Sequence, residues 1–146
     1  MRIDASDLRE IKLFKYYRLV RKWACKTNGL TDGDLELLIY LDCLDRFTLK
    51  DFKDGEYIYS WDKHRWSKLK NNGWIEVWRT RHKNVGDFNI YKVSFKARNL
   101  ITRIYKILLG YDDLPISRSN VFYKNKTYTD KVFNKAIDDM IKDKDR

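Results

Sequence analysis

The stretch from Ser60 to Val93 constrains the fold more than any other part of this sequence. Its first part is basic, spaces its apolar residues as a helix does, and stops at Gly73, a residue type that readily adopts the positive φ of a helix end. Alternating apolar and polar residues follow at 74–80 and 88–94, a pattern typical of half-buried strands. The stretch therefore predicts a helix over 60–72 that is followed at once by a β-hairpin.

Two features define the start and the faces of this predicted helix. Ser60 is the expected N-cap, because its hydroxyl can accept a first-turn backbone N–H that has no partner within the helix. Trp66 and Leu69 are three residues apart and lie on one face. The polar residues that then lie largely on the other side are Lys63, His64, Ser67, Lys68 and Lys70.

Positive charge is concentrated in the same stretch. Residues 63–83 contain seven Lys and Arg and a single acid, Glu76, which gives +6 of the chain's net +10. A basic balance favours a polyanionic partner, and a basic helix beside a basic hairpin can contact neighbouring phosphates and a groove of one duplex. The hairpin tip, 81–87, is too long for a two-residue turn, so we expect a mobile loop there.

The N-terminal part predicts one long helix over 7–26, capped by Asp7 and ended at Asn28-Gly29. Its apolar residues extend beyond one stripe, so they need cover from the protein's own core or from a partner subunit. The residues of this apolar surface are Leu8, Ile11, Leu13, Phe14, Tyr16, Tyr17, Leu19, Val20, Trp23 and Ala24.

A second helix is predicted over about 32–44, because Thr31 and Asp34 have the spacing of a capping box. This helix is acidic, and we expect it either to face away from a phosphate backbone or to support its basic neighbour. The residues expected to be buried on it are Leu37, Tyr40, Leu41 and Leu44.

A strand and a short helix are expected next. Phe47 fits a short strand that pairs with the hairpin, and Thr48 can cap a helix from 49 to about 53 with Leu49 and Phe52 facing inward. The turn signal Asp54-Gly55 is expected to end this helix.

The C-terminal part predicts two further helices. Ser94 can cap a helix that runs to Leu109 and ends at Gly110, and the last helix is expected over about 129–143. The residues expected to be buried are Ala97, Leu100, Ile101, Ile104, Tyr105 and Leu108 on the first helix, and Val132, Phe133, Ala136, Ile137, Met140 and Ile141 on the second.

These elements predict a mostly α-helical protein with a small β-hairpin, an α+β class, in a single domain over 1–146. The order within 31–94 is that of a winged helix-turn-helix, in which the second helix lies in the major groove of DNA. The helices over 7–28 and 94–146 are expected to form a dimerisation region, with a two-fold symmetric homodimer as the commonest solution.

Several classes of function are disfavoured by what the sequence lacks. It has no glycine-rich phosphate loop, no CxxC and no HExxH motif, so we expect no enzymatic activity, no metal and no cofactor. Cys25 and Cys43 are too few for a disulfide framework, and we expect two buried thiols. No apolar run could span a bilayer and the N-terminus lacks a signal-peptide core, so we expect a cytoplasmic protein with no membrane partner.

Two segments resemble the multiple-antibiotic-resistance regulator (MarR) family of winged helix-turn-helix proteins. The segment Leu69-Lys-Asn-Asn-Gly73-Trp-Ile-Glu is similar to the family's leucine, three polar residues, glycine and two apolar residues. The run Val93–Ile101 resembles the family's segment after the wing, and the likeness covers roughly residues 8–110.

The resemblance implies a homodimeric transcriptional regulator that binds double-stranded DNA sequence-specifically. Its recognition helix, 60–72, would lie in the major groove and its wing, 79–88, at the minor groove, where negative potential attracts cations. The family's groove-facing positions fall here on Trp61, Lys63, His64, Ser67 and Lys68, and its wing contacts on Arg81, His82 and Lys83. Lys70 and Arg79 complete the candidate DNA-binding set through their charge.

The sequence departs from the family pattern in three places. The hairpin tip reads Arg81-His-Lys-Asn where the family has an Asp-Arg-Arg-like tip. Asp62 and Arg65 occupy positions where the family tends to be apolar, and the connection over 111–128 is long. The first two departures concern the DNA contact, and the third concerns the dimer arrangement.

Other interpretations remain open. The lysines can form an ordinary solvated helix face, the histidines can be surface residues, and the tryptophans can serve packing. An alternative function is a winged-helix protein–protein adaptor, acting on host or replication machinery through exposed aromatics and the basic segment 116–131. A composition with only four alanines fits a viral origin, phage included, and a virion component is a third hypothesis. The resemblance also allows a small aromatic effector at a dimer interface, for which simple packing is the alternative.

Overall fold

The computed structural model describes residues 2–59, 61–83, 86–115, 122 and 127–144. Within these residues the chain is mostly helical and contains one antiparallel β-hairpin, which confirms the α+β class. The helices are α1 (Ala5–Glu10), α2 (Leu13–Asn28), α3 (Asp32–Leu44), α4 (Leu49–Tyr59), α5 (Lys63–Asn71), α6 (Phe95–Leu108) and α7 (Tyr128–Lys144), and the strands are β1 (Ile75–Lys83) and β2 (Gly86–Val93).

The chain divides into two compact units. The terminal unit comprises Met1–Leu30 and Thr102–Arg146, and the central unit comprises Thr31–Ile101. The second boundary falls within α6, so this helix contributes to both units.

In the terminal unit, two helices replace the single N-terminal helix that the sequence predicted. The helix α1 is capped by Asp4 rather than Asp7, and each carboxylate accepts the other residue's backbone N–H at 3.0 Å. The chain breaks at Lys12, which has φ 54° and ψ 46° in the left-handed region and precedes α2. An L-residue is strained in that region, and the break redirects the chain between the two helices.

The core of the terminal unit is built from one face each of α2, α6 and α7. The buried residues include Val20 and Ala24 of α2, Ile104 and Ile107 of α6, and Ile137 of α7. Four residues expected in the apolar surface or core are instead exposed, namely Phe14, Tyr17, Tyr105 and Val132. Phe14 lies about half a turn around α2 from the buried Tyr16–Val20–Trp23 face, which explains its 80% exposure.

In the central unit, three local signals at the helix ends are confirmed. The hydroxyl of Thr31 accepts from the backbone N–H of Asp34, and the carboxylate of Asp34 accepts from that of Thr31, so the predicted capping box is present. The hydroxyl of Ser94 accepts from Ala97 N at 3.2 Å at the start of α6. Gly73 has φ +79°, as a residue that ends a helix requires.

The helix α4 is longer than predicted, because the Asp54-Gly55 signal does not end it. Gly55 lies inside the helix, where a Cβ would be 3.1 Å from the ring of Trp61 and 3.2 Å from that of Tyr40. This glycine therefore makes room for two aromatic rings, and the turn prediction was wrong. Leu49 faces outward, whereas Phe52 is buried as expected.

Two boundaries around the basic helix also differ from the prediction. The helix α5 begins at Lys63, and the carboxylate of Asp62 caps it by accepting from His64 N at 2.9 Å, so Ser60 is not the N-cap. Ser60 itself lies outside the described residues. The strands extend to a Lys83–Gly86 pair, which leaves two residues between them instead of a long loop. Because the backbone pairing continues to that point, the expected loop over 81–87 was wrong.

Two further burial predictions were wrong on α3. Leu44 is 39% exposed near the end of that helix, whereas Leu37 and Leu41 are fully buried. Cys25 is buried as expected, but Cys43 is exposed, and both are free thiols.

An aromatic cluster forms the centre of the central unit. Phe47 pairs with Tyr91 of β2 through two backbone hydrogen bonds of 2.7 and 3.0 Å, which confirms the predicted strand contact with the hairpin. Trp66 of α5 packs against three rings, with centroid distances of 5.8 Å to Phe47, 5.0 Å to Phe52 and 5.1 Å to Tyr91. Aromatic pairs at such distances add stability beyond the area they bury, so this cluster holds α4, α5 and the hairpin together.

Replacing Gly73 by Ala should lower the free energy of unfolding by about 1–2 kcal/mol, because an L-residue is strained at positive φ. A Cβ at this position meets no atom within 4 Å, so the loss comes from the backbone alone. Urea unfolding of the full chain measures it. Gly73→Asn should lose less, because Asn tolerates the left-handed region, and equal losses for the two variants would contradict this account.

Candidate nucleic-acid interface

The helix α5 has one buried face and one exposed face. Trp66 and Leu69 are buried on the first. Lys63, Ser67 and Asn71 recur every fourth residue on the opposite side. The exposed polar residues of this side are Lys63, His64, Ser67 and Asn71. All four can donate hydrogen bonds, and Ser and Asn can also accept them, which suits the mixed donors and acceptors of base edges.

A buried carboxylate fixes α5 against α3. Asp34 is 1% exposed, its Oδ1 lies 2.8 Å from Arg65 Nη1, and its Oδ2 lies 2.7 Å from Lys68 Nζ. Arg65 Nη1 also donates to the hydroxyl of Thr31 at 2.7 Å. Two cations three residues apart on α5 thus form ion pairs with one acid of α3. The acidic helix therefore supports its basic neighbour, which is one of the two roles expected of it.

The environment of Asp34 keeps it ionised. Burial alone would raise its pKa, but hydrogen bonds from Lys68 and from the backbone and hydroxyl of Thr31 outweigh burial and hold the pKa below its ordinary value. A charged Asp34 keeps both cations in place, and its two oxygens are shared among three donor residues.

Gly33 makes room for this ion pair. A Cβ at that position would lie 2.7 Å from Arg65 Nη1 and 2.8 Å from the guanidinium carbon. The absence of a side chain therefore lets the guanidinium lie directly against the first turn of α3. Arg65 is a departure from the family pattern, and its partner Asp34 explains why a cation is accommodated there.

The C-terminal end of α5 is connected to the hairpin by cations over aromatic rings. Lys70 Nζ lies 5.4 Å from the ring centroid of Tyr91 on β2. Lys96 Nζ lies 3.9 Å from the ring centroid of Trp74 and donates to the carbonyl of Asn72 at 3.2 Å. Such contacts contribute roughly 0.5–1 kcal/mol each at exposed sites.

The hairpin carries a second group of cations. At Trp78 the strand register shifts between Val77 and Arg79, and the tryptophan is partly exposed. The guanidinium of Arg79 lies 4.6 Å from the ring centroid of Trp78, and that of Arg46 lies 4.7 Å from it. Trp78 therefore holds two guanidinium groups near one another on the hairpin. Arg81, which pairs with Phe88 across the strands, is also exposed.

The structure corrects one predicted site residue and gives another a second contact. Trp61 is only 6% exposed and packs against Tyr40 with ring centroids 5.0 Å apart and planes tilted by 54°, so it is a core residue and cannot face a groove. The ammonium of Lys68 bonds Asp34 but its side chain is 43% exposed, and its three N–H donors allow a further bond to a phosphate. The predicted residues that are exposed are Lys63, His64, Ser67, Lys68, Lys70, Arg79 and Arg81.

Other residues were missed or cannot be placed. The side chains of His82 and Lys83 lie outside the described part of the structure, although their backbone belongs to β1. Asn71 was missed, although its four-residue spacing from Ser67 was a visible signal. Arg46 was missed because only the folded hairpin brings it to Trp78.

Comparison with models of protein families, with curated proteins and with solved structures finds no match to this chain. Among the described residues, none of the helices combines the length and apolar character needed to cross a membrane. The same residues contain no group of three or more His, Cys, Asp or Glu side chains that could hold a metal ion.

Replacing Asp34 by Asn should lower the free energy of unfolding by roughly 2–3 kcal/mol at pH 7, because Arg65 and Lys68 lose a buried charged partner. Since the folded-state pKa of Asp34 is depressed, its stabilisation is present above the ordinary pKa and is lost as pH falls through the folded value. The gap between the wild-type protein and the variant should therefore shrink from about pH 5 downward. Urea unfolding at several pH values measures it.

The variant Lys68→Ala is the internal control, because it leaves the bond from Arg65 to Asp34 in place. It should be destabilised less than Asp34→Asn. A gap that stayed constant between pH 7 and pH 3 would show that the charge of Asp34 is not what stabilises the protein.

Proposed function

We propose that the central unit is a winged helix-turn-helix that binds double-stranded DNA. In this proposal α5 enters the major groove, and the hairpin is the wing that contacts the flanking backbone and minor groove. The observation that carries the proposal is the exposed polar face of α5, anchored through Trp66 and Asp34 beside a hairpin that presents Arg79 and Arg81.

The order of the elements supports the proposal. The helix α3, the Phe47 bridge, α4, α5 and the hairpin follow one another as expected for this architecture. The second helix of a helix-turn-helix places its N-terminal residues against base edges. Lys63 and His64 stand at that end of α5 and are exposed.

The chemistry of the exposed face fits base recognition. Lys63 can donate to the O6 and N7 acceptors of guanine, and Asn71 can bond adenine through N6 and N7. Ser67 can contact either a base or a phosphate. Lys70 stands between this face and the hairpin through its contact with Tyr91, and we assign it to a phosphate.

The cations at the hairpin can bind phosphates, a contact that does not distinguish one base sequence from another. The guanidinium groups of Arg46 and Arg79 lie 4.7 and 4.6 Å from the ring centroid of Trp78, and that of Arg46 also lies 2.9 Å from the carboxylate of Asp45. These contacts reduce the freedom that each group would lose on binding a phosphate. Neutralised phosphates release counterions, so binding should weaken steeply as salt rises.

We extend the proposal to a homodimer that regulates transcription. Support comes from exposed aromatic residues on helices of the terminal unit, with Phe14 at 80% and Tyr128 at 83% exposure. A second copy related by a two-fold axis is the commonest way to cover such residues, and it would match a palindromic site. Selection of bound fragments from a random DNA pool would reveal that symmetry.

The same exposed aromatics favour a second candidate, a protein–protein adaptor without DNA readout. Aromatic side chains are enriched in the energetic centres of protein interfaces. Affinity capture with and without nuclease separates the two functions. Partners that persist after nuclease treatment, combined with no direct affinity for duplex DNA, would favour the adaptor.

The triple variant Lys63→Ala/Arg79→Ala/Arg81→Ala should weaken binding to mixed-sequence duplex DNA roughly tenfold to a hundredfold at physiological salt, because each cation lost removes a phosphate or base contact. The slope of log affinity against log salt should fall by about two to three. Fluorescence anisotropy with labelled duplexes of about 30 base pairs, over a series of salt concentrations, measures both quantities.

The charge-matched control is Lys131→Ala/Lys135→Ala/Lys142→Ala, which removes three exposed lysines of α7. It should bind DNA within about threefold of the wild-type protein. Equal losses in the two triple variants would mean that net charge alone drives binding and would remove the α5–hairpin interface. No binding by the wild-type protein would remove the proposed function.

A further inference from the structure

The terminal unit contains a cavity of about 430 Å³ that the proposed DNA contact does not use. Its walls are the break between α1 and α2, the C-terminal end of α6 with the segment that follows, and the C-terminal half of α7. A volume of this size is in the range of sites that hold drug-sized molecules.

The floor of the cavity is apolar. Ile11, Met140 and Ile141 are partly exposed and provide its accessible apolar surface. Ile107 and Ile137 lie beneath this surface and are fully buried. An apolar group placed here would leave water for a surface of aliphatic side chains, which favours binding at roughly 25 cal/mol per Å² of buried apolar area.

The rim of the cavity is acidic. The ionisable residues that line it are Glu10, Lys12, Asp112, Asp113 and Asp143. Lys12 is the one cation in this lining, and its ammonium lies 3.4 Å from Asp143 Oδ1. Glu10 and Asp112 are exposed at the mouth. The lining is therefore negative in a chain whose net charge is +10.

One of these acids is held firmly in its charged form. Lys15 Nζ donates to Asp143 Oδ2 at 2.7 Å, and the hydroxyl of Tyr16 donates to the same oxygen. The hydrogen bond from Lys15, opposed by partial burial and supported by Lys12, keeps the pKa of Asp143 below its ordinary value. These contacts connect α2 to the C-terminal end of α7 on one side of the cavity. Lys12, whose backbone is in the left-handed region, lies on the same side between α1 and α2.

We propose that this cavity binds an apolar organic cation, with its apolar groups on the floor that Met140 and Ile141 provide and its positive charge at the Glu10–Asp112 rim. The volume of the cavity and its apolar floor fit a ligand of drug-like size whose larger part is apolar. The carboxylates at the mouth attract a cation and repel an anion of the same shape. Lys12 and Lys15 offset the charge of Asp143, so the attraction rests on Glu10 and Asp112 at the mouth.

The proposal is independent of DNA binding, because every residue involved belongs to the terminal unit. The variant Lys63→Ala/Arg79→Ala/Arg81→Ala, which tests the DNA contact, should bind the cation as the wild-type protein does. Failure of either proposal leaves the other intact.

A matched pair of probes tests the charge requirement. Tetraphenylphosphonium and tetraphenylborate have nearly the same size and shape and opposite charge. Isothermal titration calorimetry of the full chain at physiological salt should show one saturable site for tetraphenylphosphonium. Tetraphenylborate should not compete for that site. The absence of saturable cation binding, or equal competition by the anion, would overturn the proposal.

A matched pair of variants tests the location. Glu10→Gln/Asp112→Asn removes two exposed charges at the rim and should weaken tetraphenylphosphonium binding at least about tenfold. Asp138→Asn/Asp139→Asn removes two exposed charges of α7 outside the cavity lining and should change binding by less than about twofold. All four positions are exposed, so both variants should fold, which circular dichroism checks. Unchanged binding in the rim variant would overturn the proposal.

Discussion

The orientation of α5 depends on the buried carboxylate of Asp34. Trp66 and Leu69 anchor one face of the helix in the core. Arg65 and Lys68 flank one side of the helix, and their bonds to Asp34 hold it against α3. The direction in which the exposed face of α5 points follows from helical spacing once the opposite face and this flank are fixed. An intact buried pair contributes little net stability, but removing one partner is costly because the other charge is left without its counter-ion.

The ion pairs of the central unit leave few of its positive charges available to DNA. Residues 31–101 contain thirteen Lys and Arg against eleven Asp and Glu, so this unit is almost neutral, and most of the chain's positive charge belongs to the terminal unit. Two of the four cations on α5 neutralise Asp34, and Lys92 lies 3.4 Å from Glu76 on the hairpin. DNA attraction would therefore rest on the placement of a few exposed cations next to an acidic α3, which favours one orientation on the duplex over non-specific adhesion.

The sequence predicted what depends on neighbouring residues and missed what depends on distant ones. The capping box of Thr31 and Asp34, the Ser94 cap and the positive φ of Gly73 are local, and all three were predictable. The turn predicted at Gly55 was wrong because this glycine instead makes room for the rings of Trp61 and Tyr40, and only the folded chain brings these rings close to it. Two other features also depend on residues more than 30 positions away. Lys12, at the break between α1 and α2, pairs with Asp143, and Asp34 pairs with Arg65 and Lys68. The exposed face of α5 was largely predictable because helical spacing alone determines it.

Two candidate sites of opposite charge in one chain respond differently to the same solvent. Contacts with phosphates weaken with every increment of salt, because binding releases condensed counterions. The cavity of the terminal unit would hold the apolar part of its ligand on Met140 and Ile141, an interaction that salt does not screen, and only its rim contributes charge. Ionic strength would therefore separate the two proposed activities within a single protein sample. A ligand of the cavity could change the affinity for DNA only if the protein had two conformations that differ in DNA binding. The ligand would then have to bind one conformation more tightly than the other, because equal affinity leaves their populations unchanged.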